Sequence, residues 1–156
     1  MTIEYLGLII LEGKAEMDPV KVQGVVEWPV LSRRKEVQSF LGFTNFYQQF
    51  IEGFSHHAHP LFNLTKKGEV WHWGGAEKSA FERLKELITS APILVFPKDL
   101  QMYQVEANSS NFVTGATLFQ QSPEDGKWHP IAFLSKSLVK RNYEIHDKEM
   151  LAIIQH

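Results

Sequence analysis

His56, His57 and His59 stand within four residues of one another, and imidazoles so closely grouped can hold a transition metal through their ring nitrogens. Pro60 follows directly and is expected to break the element that carries them, which favours a polar helix junction and no metal. Glu149 is a carboxylate beside the apolar residues Met150, Leu151 and Ile154. Alone it reads as a solvated helix residue, because divalent-ion chemistry needs several anionic oxygens around each ion. Asn108-Ser109-Ser110-Asn111 offers only amides and hydroxyls and reads as a turn with asparagine in the left-handed region. Trp71 and Trp73 are of the type that stacks on bases, although indole packing between two lobes is the stronger expectation. Lys136, Lys140 and Arg141 form a basic cluster that can meet phosphate or simply line a solvated turn. Cysteine is absent, which removes disulfides, thiolate metal sites and a cysteine nucleophile.

Charge sets a further bound. Sixteen Lys and Arg against 18 Asp and Glu leave a net charge of -2 over 156 residues, where a dedicated nucleic-acid binder is usually basic. The balance shifts along the chain: residues 1–31 carry two basic and five acidic groups, residues 32–86 eight and six. A local phosphate-facing surface is therefore compatible with the total. No apolar run approaches the roughly 18 residues that cross a bilayer. The start, MTIEYLGLIILEGKAEM, meets Glu4 and Glu12 with no basic leader before them. An intracellular soluble chain is expected, with no membrane contact.

The elements that position these groups follow from periodicity. Tyr5 to Leu11 is rich in aliphatics around Gly7 and reads as extended, with a turn at Glu12-Gly13-Lys14. Asp18-Pro19 is a helix start, and Trp28-Pro29 must end that helix near residue 27. Val37, Phe40, Leu41, Phe43, Phe46, Tyr47, Phe50 and Ile51 form an amphipathic stripe that predicts one helix over 33–52, stopped by Gly53. Further helices are expected over 57–64 and, from Ala80, Phe81, Leu84, Leu87 and Ile88, over 76–90. Near residue 93 the period changes to two, predicting three antiparallel strands within 101–136. A last helix is expected from about 147, and the chain stops inside it at His156. The fold class is α+β in two lobes, expected to be cut short. Leu118, Ile131 and Phe133 should then be partly exposed.

The words EYLG, MDPVKV, EWP, KEVQSFLGFTNFYQQFI, FSHHAHPLFNLTKK, AFERLKELITSAPIL, HPIAFLSKSL and RNYEIHDKEMLAII occur in this order along the whole chain. Their succession resembles the polyprotein of gypsy-type LTR retrotransposons, in the reverse transcriptase just after its polymerase site and on into ribonuclease H. The resemblance implies a primer-grip-like hairpin over 1–16, a helical thumb-like region over 17–92 and an incomplete ribonuclease H-like domain over 93–156. Tyr5, Leu6 and Gly7 would position a primer strand. The thumb would lean on a duplex through its backbone, without reading sequence. Asn108 falls where the family's first ribonuclease H aspartate ends a strand, and Glu149 where its glutamate sits on the following helix.

The intact family enzyme uses Mg²⁺ held by four carboxylates, in the two-ion manner of phosphodiester cleavage. Of these only Glu149 is present, Asn108 is neutral, and the polymerase carboxylates of the family's Y-x-D-D hairpin are absent. Gln48 and Gln49 replace two arginines of the family's thumb word, so phosphate contacts are reduced. The resemblance thus implies a retrotransposon-derived reverse transcriptase and ribonuclease H-like fragment, inactive alone and without cofactor. Its expected partner is an RNA–DNA or DNA duplex, bound weakly. The alternatives are a segment of an active polyprotein enzyme, or a non-catalytic connection-type structural domain.

Overall fold

The computed structural model describes residues 3–5, 7–11, 13–98, 101–109 and 113–137. Three short antiparallel strands come first: β1 Ile3–Tyr5, β2 Leu8–Leu11 and β3 Lys14–Met17. Gly7 and Gly13 turn the chain between them at φ of 80° and 72°, a region glycine enters without a Cβ penalty. A fourth strand, β4 Leu94–Val95, returns from far along the chain and pairs with β3 through Lys14↔Val95 and Ala15↔Leu94. The expected hairpin is therefore part of a four-stranded sheet. The two residues of β4 are too few to show alternation, so only the tertiary pairing reveals them. All the helices described lie between β3 and β4 in the chain.

Helix α1 Pro19–Val26 begins as expected, with the Asp18 carboxylate accepting the Val20 N–H at 2.8 Å and Pro19 at the first position. Helix α2 Arg34–Phe46 buries Val37, Phe40, Leu41 and Thr44. The single helix expected over 33–52 does not form. A 3₁₀ turn covers Gln48–Phe50, and Gly53, at φ 63°, precedes helix α3 Phe54–Thr65. The reason is geometric. At about 100° per residue a continuous helix would carry Phe50 well off the Val37–Phe40–Leu41 stripe, whereas the break delivers it to the core, 2% exposed.

Helix α3 also runs through Pro60, which does not break it. Burial of Phe54, Ala58, Leu61 and Leu64 on one face offsets the lost hydrogen bond. The carbonyl left without a helical partner belongs to His56, an exposed residue. Helix α4 Gly75–Thr89 buries the predicted Ala80, Phe81, Leu84 and Ile88, and its Glu77 carboxylate accepts the Gly74 N–H at 2.9 Å. Trp71 and Trp73 stack with ring centroids 6.0 Å apart, and Trp73 meets Phe81 edge-on. They close the helical core and do not sit between lobes.

Strands β5 Tyr103–Ser109, β6 Val113–Gln121 and β7 Trp128–Ser137 form the expected antiparallel meander in the order β5-β6-β7. Asn108 and Ser109 belong to β5, opposite Gly115 and Thr114, and are not turn residues. The ladder between β6 and β7 shifts register at Leu118/Phe119. Pro130, opposite Phe119, has no N–H to give at that point.

This second sheet docks on the helices. The Ser55 N–H, an otherwise unmade bond of the first turn of α3, donates to Ser135 Oγ at 2.9 Å. Phe133 packs against the helical core. Gln120, nearly buried, accepts the Lys98 N–H at 2.9 Å and donates to the Lys98 carbonyl at 2.7 Å, clamping the connection from β4. Leu118, Ile131 and Phe133 are half-buried. Lys140, Arg141, Glu149 and the helix expected from about 147 lie outside the described residues.

Candidate functional site

Two places gather the residues singled out above. The first is a cleft of about 410 Å³ between the start of α3 and the second sheet, lined in part by Glu52, His56, Glu106, Asn108, Gly115 and Thr117. Asn108 is exposed and its cross-strand neighbour is Gly115. Glycine there leaves the space opposite the amide unfilled, which helps to open the cleft. Glu106 lies two residues earlier, hence on the same face of β5, and accepts a hydrogen bond from the Gln104 amide at 3.1 Å.

The donor set on this cleft does not fit a pair of Mg²⁺ ions. Asn108 brings a neutral carbonyl where a bridging carboxylate is needed, and imidazole is a poor ligand for so hard a cation. Among the described residues no three of His, Asp and Glu come together in a way that could hold a metal ion. His57, whose ring centroid is 5.6 Å from that of His56, is held below the usual imidazole range by burial, then by His56 and Arg83, with Glu52 opposing. It therefore favours the neutral form.

The second place is the tip of the β1–β2 turn. The Gly7 carbonyl accepts the Tyr47 hydroxyl at 3.2 Å and the Asp18 N–H at 3.1 Å. Tyr47 is buried between Phe43 and Phe46, with ring centroids at 5.4 and 5.0 Å. Burial, and then the Asp18 carboxylate, raise its pKa above the ordinary phenol value, so it stays a donor. A Cβ built on Gly7 would meet the Tyr47 hydroxyl at 2.7 Å and the Lys21 Cγ at 3.7 Å. The turn is thus wedged between an aromatic anchor and the stem of a lysine.

Gln48 and Gln49 follow Tyr47 immediately, so this one tyrosine joins the two segments expected to meet nucleic acid. The backbone of Tyr5 pairs with Leu8 in the β1–β2 ladder, and Leu6 lies outside the described residues. The two glutamines do not share a face. In a 3₁₀ turn successive side chains point about 120° apart, and Gln49 is exposed while Gln48 is half-buried. Asn108 is remote in the chain from this group and belongs to the cleft. Sequence reasoning missed Tyr47 and Lys21 as parts of the turn. The available signal for Lys21 was its position one turn after the Asp18 cap; nothing local marked the Tyr47–Gly7 contact, which spans forty residues.

Comparison with known proteins points one way. Residues 73–156 match the family described as the RNase H-like domain found in reverse transcriptase. The chain is 35% identical, over 97% of its length, to the retrovirus-related Pol polyprotein from transposon opus of Drosophila melanogaster, and covers 16% of that protein. It is 33% identical, over 98% of its length, to the transposon Tf2-3 polyprotein of Schizosaccharomyces pombe, covering 12% of it. The chain spans less than a fifth of these relatives. Among solved structures, the foamy viral protease-reverse transcriptase in complex with double-stranded DNA matches over 99% of the chain and 27% of that protein. The TM-score is 0.82 at 20% identity, which is a likeness of fold. The same viral protein in complex with an RNA/DNA hybrid matches equally, at a TM-score of 0.82 over 21% of its chain.

Proposed function

The chain belongs to the family of RNase H-like domains found in reverse transcriptase, and we propose that it serves a retrotransposon polyprotein by holding a nucleic-acid duplex without cleaving it alone. The observation that carries this reading is Asn108. A neutral amide stands on β5, facing an open cleft, at the strand position where the family resemblance calls for a metal-binding carboxylate. The docking of β7 on α3 through Ser135 and Phe133 favours a structural role, connecting the helices to whatever follows them in the polyprotein. Reverse transcriptases of the same fold are found in complex with duplexes, which supports a duplex as partner.

Incubated with an RNA–DNA hybrid and Mg²⁺ or Mn²⁺, the chain is expected to release no RNA fragments. Asn108→Asp alone should not change this, because one added carboxylate beside Glu149 still leaves the second ion without anchors. Metal-dependent cleavage by the unmodified chain, lost in Glu149→Gln, would overturn the reading.

Duplex binding should be weak, independent of sequence and shallow in its salt dependence, since few cations face phosphate. Lys21 beside the Gly7 turn supplies one of them. Lys21→Ala should reduce the slope of log affinity against log salt by about one unit, and Gln49→Arg should raise it by about one. Gln48→Arg should do less, because its side chain is half-buried. Fluorescence anisotropy of a labelled duplex over a salt series measures all three. Identical affinities at every salt concentration would mean that this face does not meet phosphate.

A further inference from the structure

We propose that a second copy of this chain pairs antiparallel with the free edge of β5, so that one sheet runs continuously through both copies. The other edge strand, β7, is covered by the 3₁₀ turn, α3 and β4. Among the described residues nothing pairs with the outer side of β5. Residues 102–108 are all exposed, Tyr103 at 48% and Val105 at 57%. Natural edges are blunted by proline, lysine or a bulge. β5 has no proline or lysine, and the register shift of this sheet lies between β6 and β7. Its one charge is Glu106.

The ladder also dictates how two copies can meet. The Gln121 N–H donates to the Met102 carbonyl at 3.1 Å, one step before the Tyr103↔Gln120 pair. In an antiparallel ladder this phase turns Gln104 and Glu106 inward to β6 and directs the N–H and C=O of Tyr103, Val105 and Ala107 outward. Two copies must therefore set odd-numbered residues opposite odd-numbered ones. With Glu106 on the two-fold axis, two carboxylates would face each other in a non-hydrogen-bonded pair, where side chains are closest. With Gln104 on the axis, Ala107 would have to pair ahead of the start of the strand. With Val105 on the axis, valine opposes valine, Tyr103 opposes Ala107, and the Gln104 amide opposes the Glu106 carboxylate. That register satisfies the outward groups and leaves no like charges facing.

Light scattering on the chain over a concentration series should give the mass of two copies, falling to one on dilution. Val105→Pro should give a monomer at every concentration with an unchanged circular dichroism spectrum, since the lost N–H faces away from β6 and proline is tolerated on such an edge. Gln104→Glu should weaken association and Gln104→Lys tighten it several-fold, both effects fading with salt. These surface changes leave the fold intact, so they test the register even if the proline variant misfolds. A monomer at all concentrations overturns the proposal, as does a dimer indifferent to residues 104 and 105. A monomer whose β5 amides resist hydrogen exchange would show that another segment covers the edge, and that result too would overturn it.

Discussion

Phe81→Ala is expected to cost about 3–5 kcal/mol of folding stability, the range for removing a fully buried aromatic ring. Phe81 is 1% exposed and lies where α4 meets α2, its ring centroid 4.8 Å from that of Phe40 and 6.0 Å from that of Trp73. The Lys85 ammonium sits 5.0 Å from its centroid while donating to the Trp28 carbonyl at 3.0 Å. Truncation therefore leaves a cavity between two helices and removes a cation–π contact. A domain of this kind has only about 5–15 kcal/mol in total, so the variant should unfold at a much lower urea concentration. Phe46, 46% exposed on the neighbouring helix, is the control. Phe46→Ala should cost well under half as much, and equal midpoints for the two variants would refute the packing account.

Gly7→Ala should cost about 2–3 kcal/mol, from two separable causes. A Cβ at φ 80° carries the left-handed penalty of about 1–2 kcal/mol. The same Cβ would stand 2.7 Å from the Tyr47 hydroxyl, so the phenol must move and its bond to the Gly7 carbonyl is lost, a further loss of about 1 kcal/mol. Tyr47→Phe alone should cost about 1 kcal/mol, because the Asp18 N–H still satisfies the carbonyl. It also removes the atom that clashes. The double variant should therefore be less destabilised than the sum of the singles, by about 1 kcal/mol. Strict additivity in urea melts would show that the turn and Tyr47 are not in contact. Loss of duplex affinity in Gly7→Ala under folding conditions would further tie the turn to binding.

Much of the fold was legible because its signals are local. The Asp18-Pro19 start and the Trp28-Pro29 stop bracket α1 through single-residue backbone preferences. The spacing of Ala80, Phe81, Leu84 and Ile88 defines α4, and the change of period near residue 93 announces the meander. Asn108 was marked as the neutral substitute for a carboxylate from the order of words alone. What escaped depended on contacts between distant residues. Phe43 and Phe46 have the same apolar character as Phe40, so the stripe could not reveal that the helix must break for Phe50 to reach the core. Pro60 carries a strong local stop signal, which burial of Phe54, Ala58, Leu61 and Leu64 outweighs. β4 exists only because Leu94 and Val95 find Ala15 and Lys14 after nearly eighty residues. The Ser135 cap on α3, the Gln120 clamp and the Tyr47 bond to Gly7 are hydrogen bonds between groups that many residue types could supply. Periodicity decides which face of an element is apolar. Only the packed chain decides which element that face meets, and so which polar groups end within bonding distance.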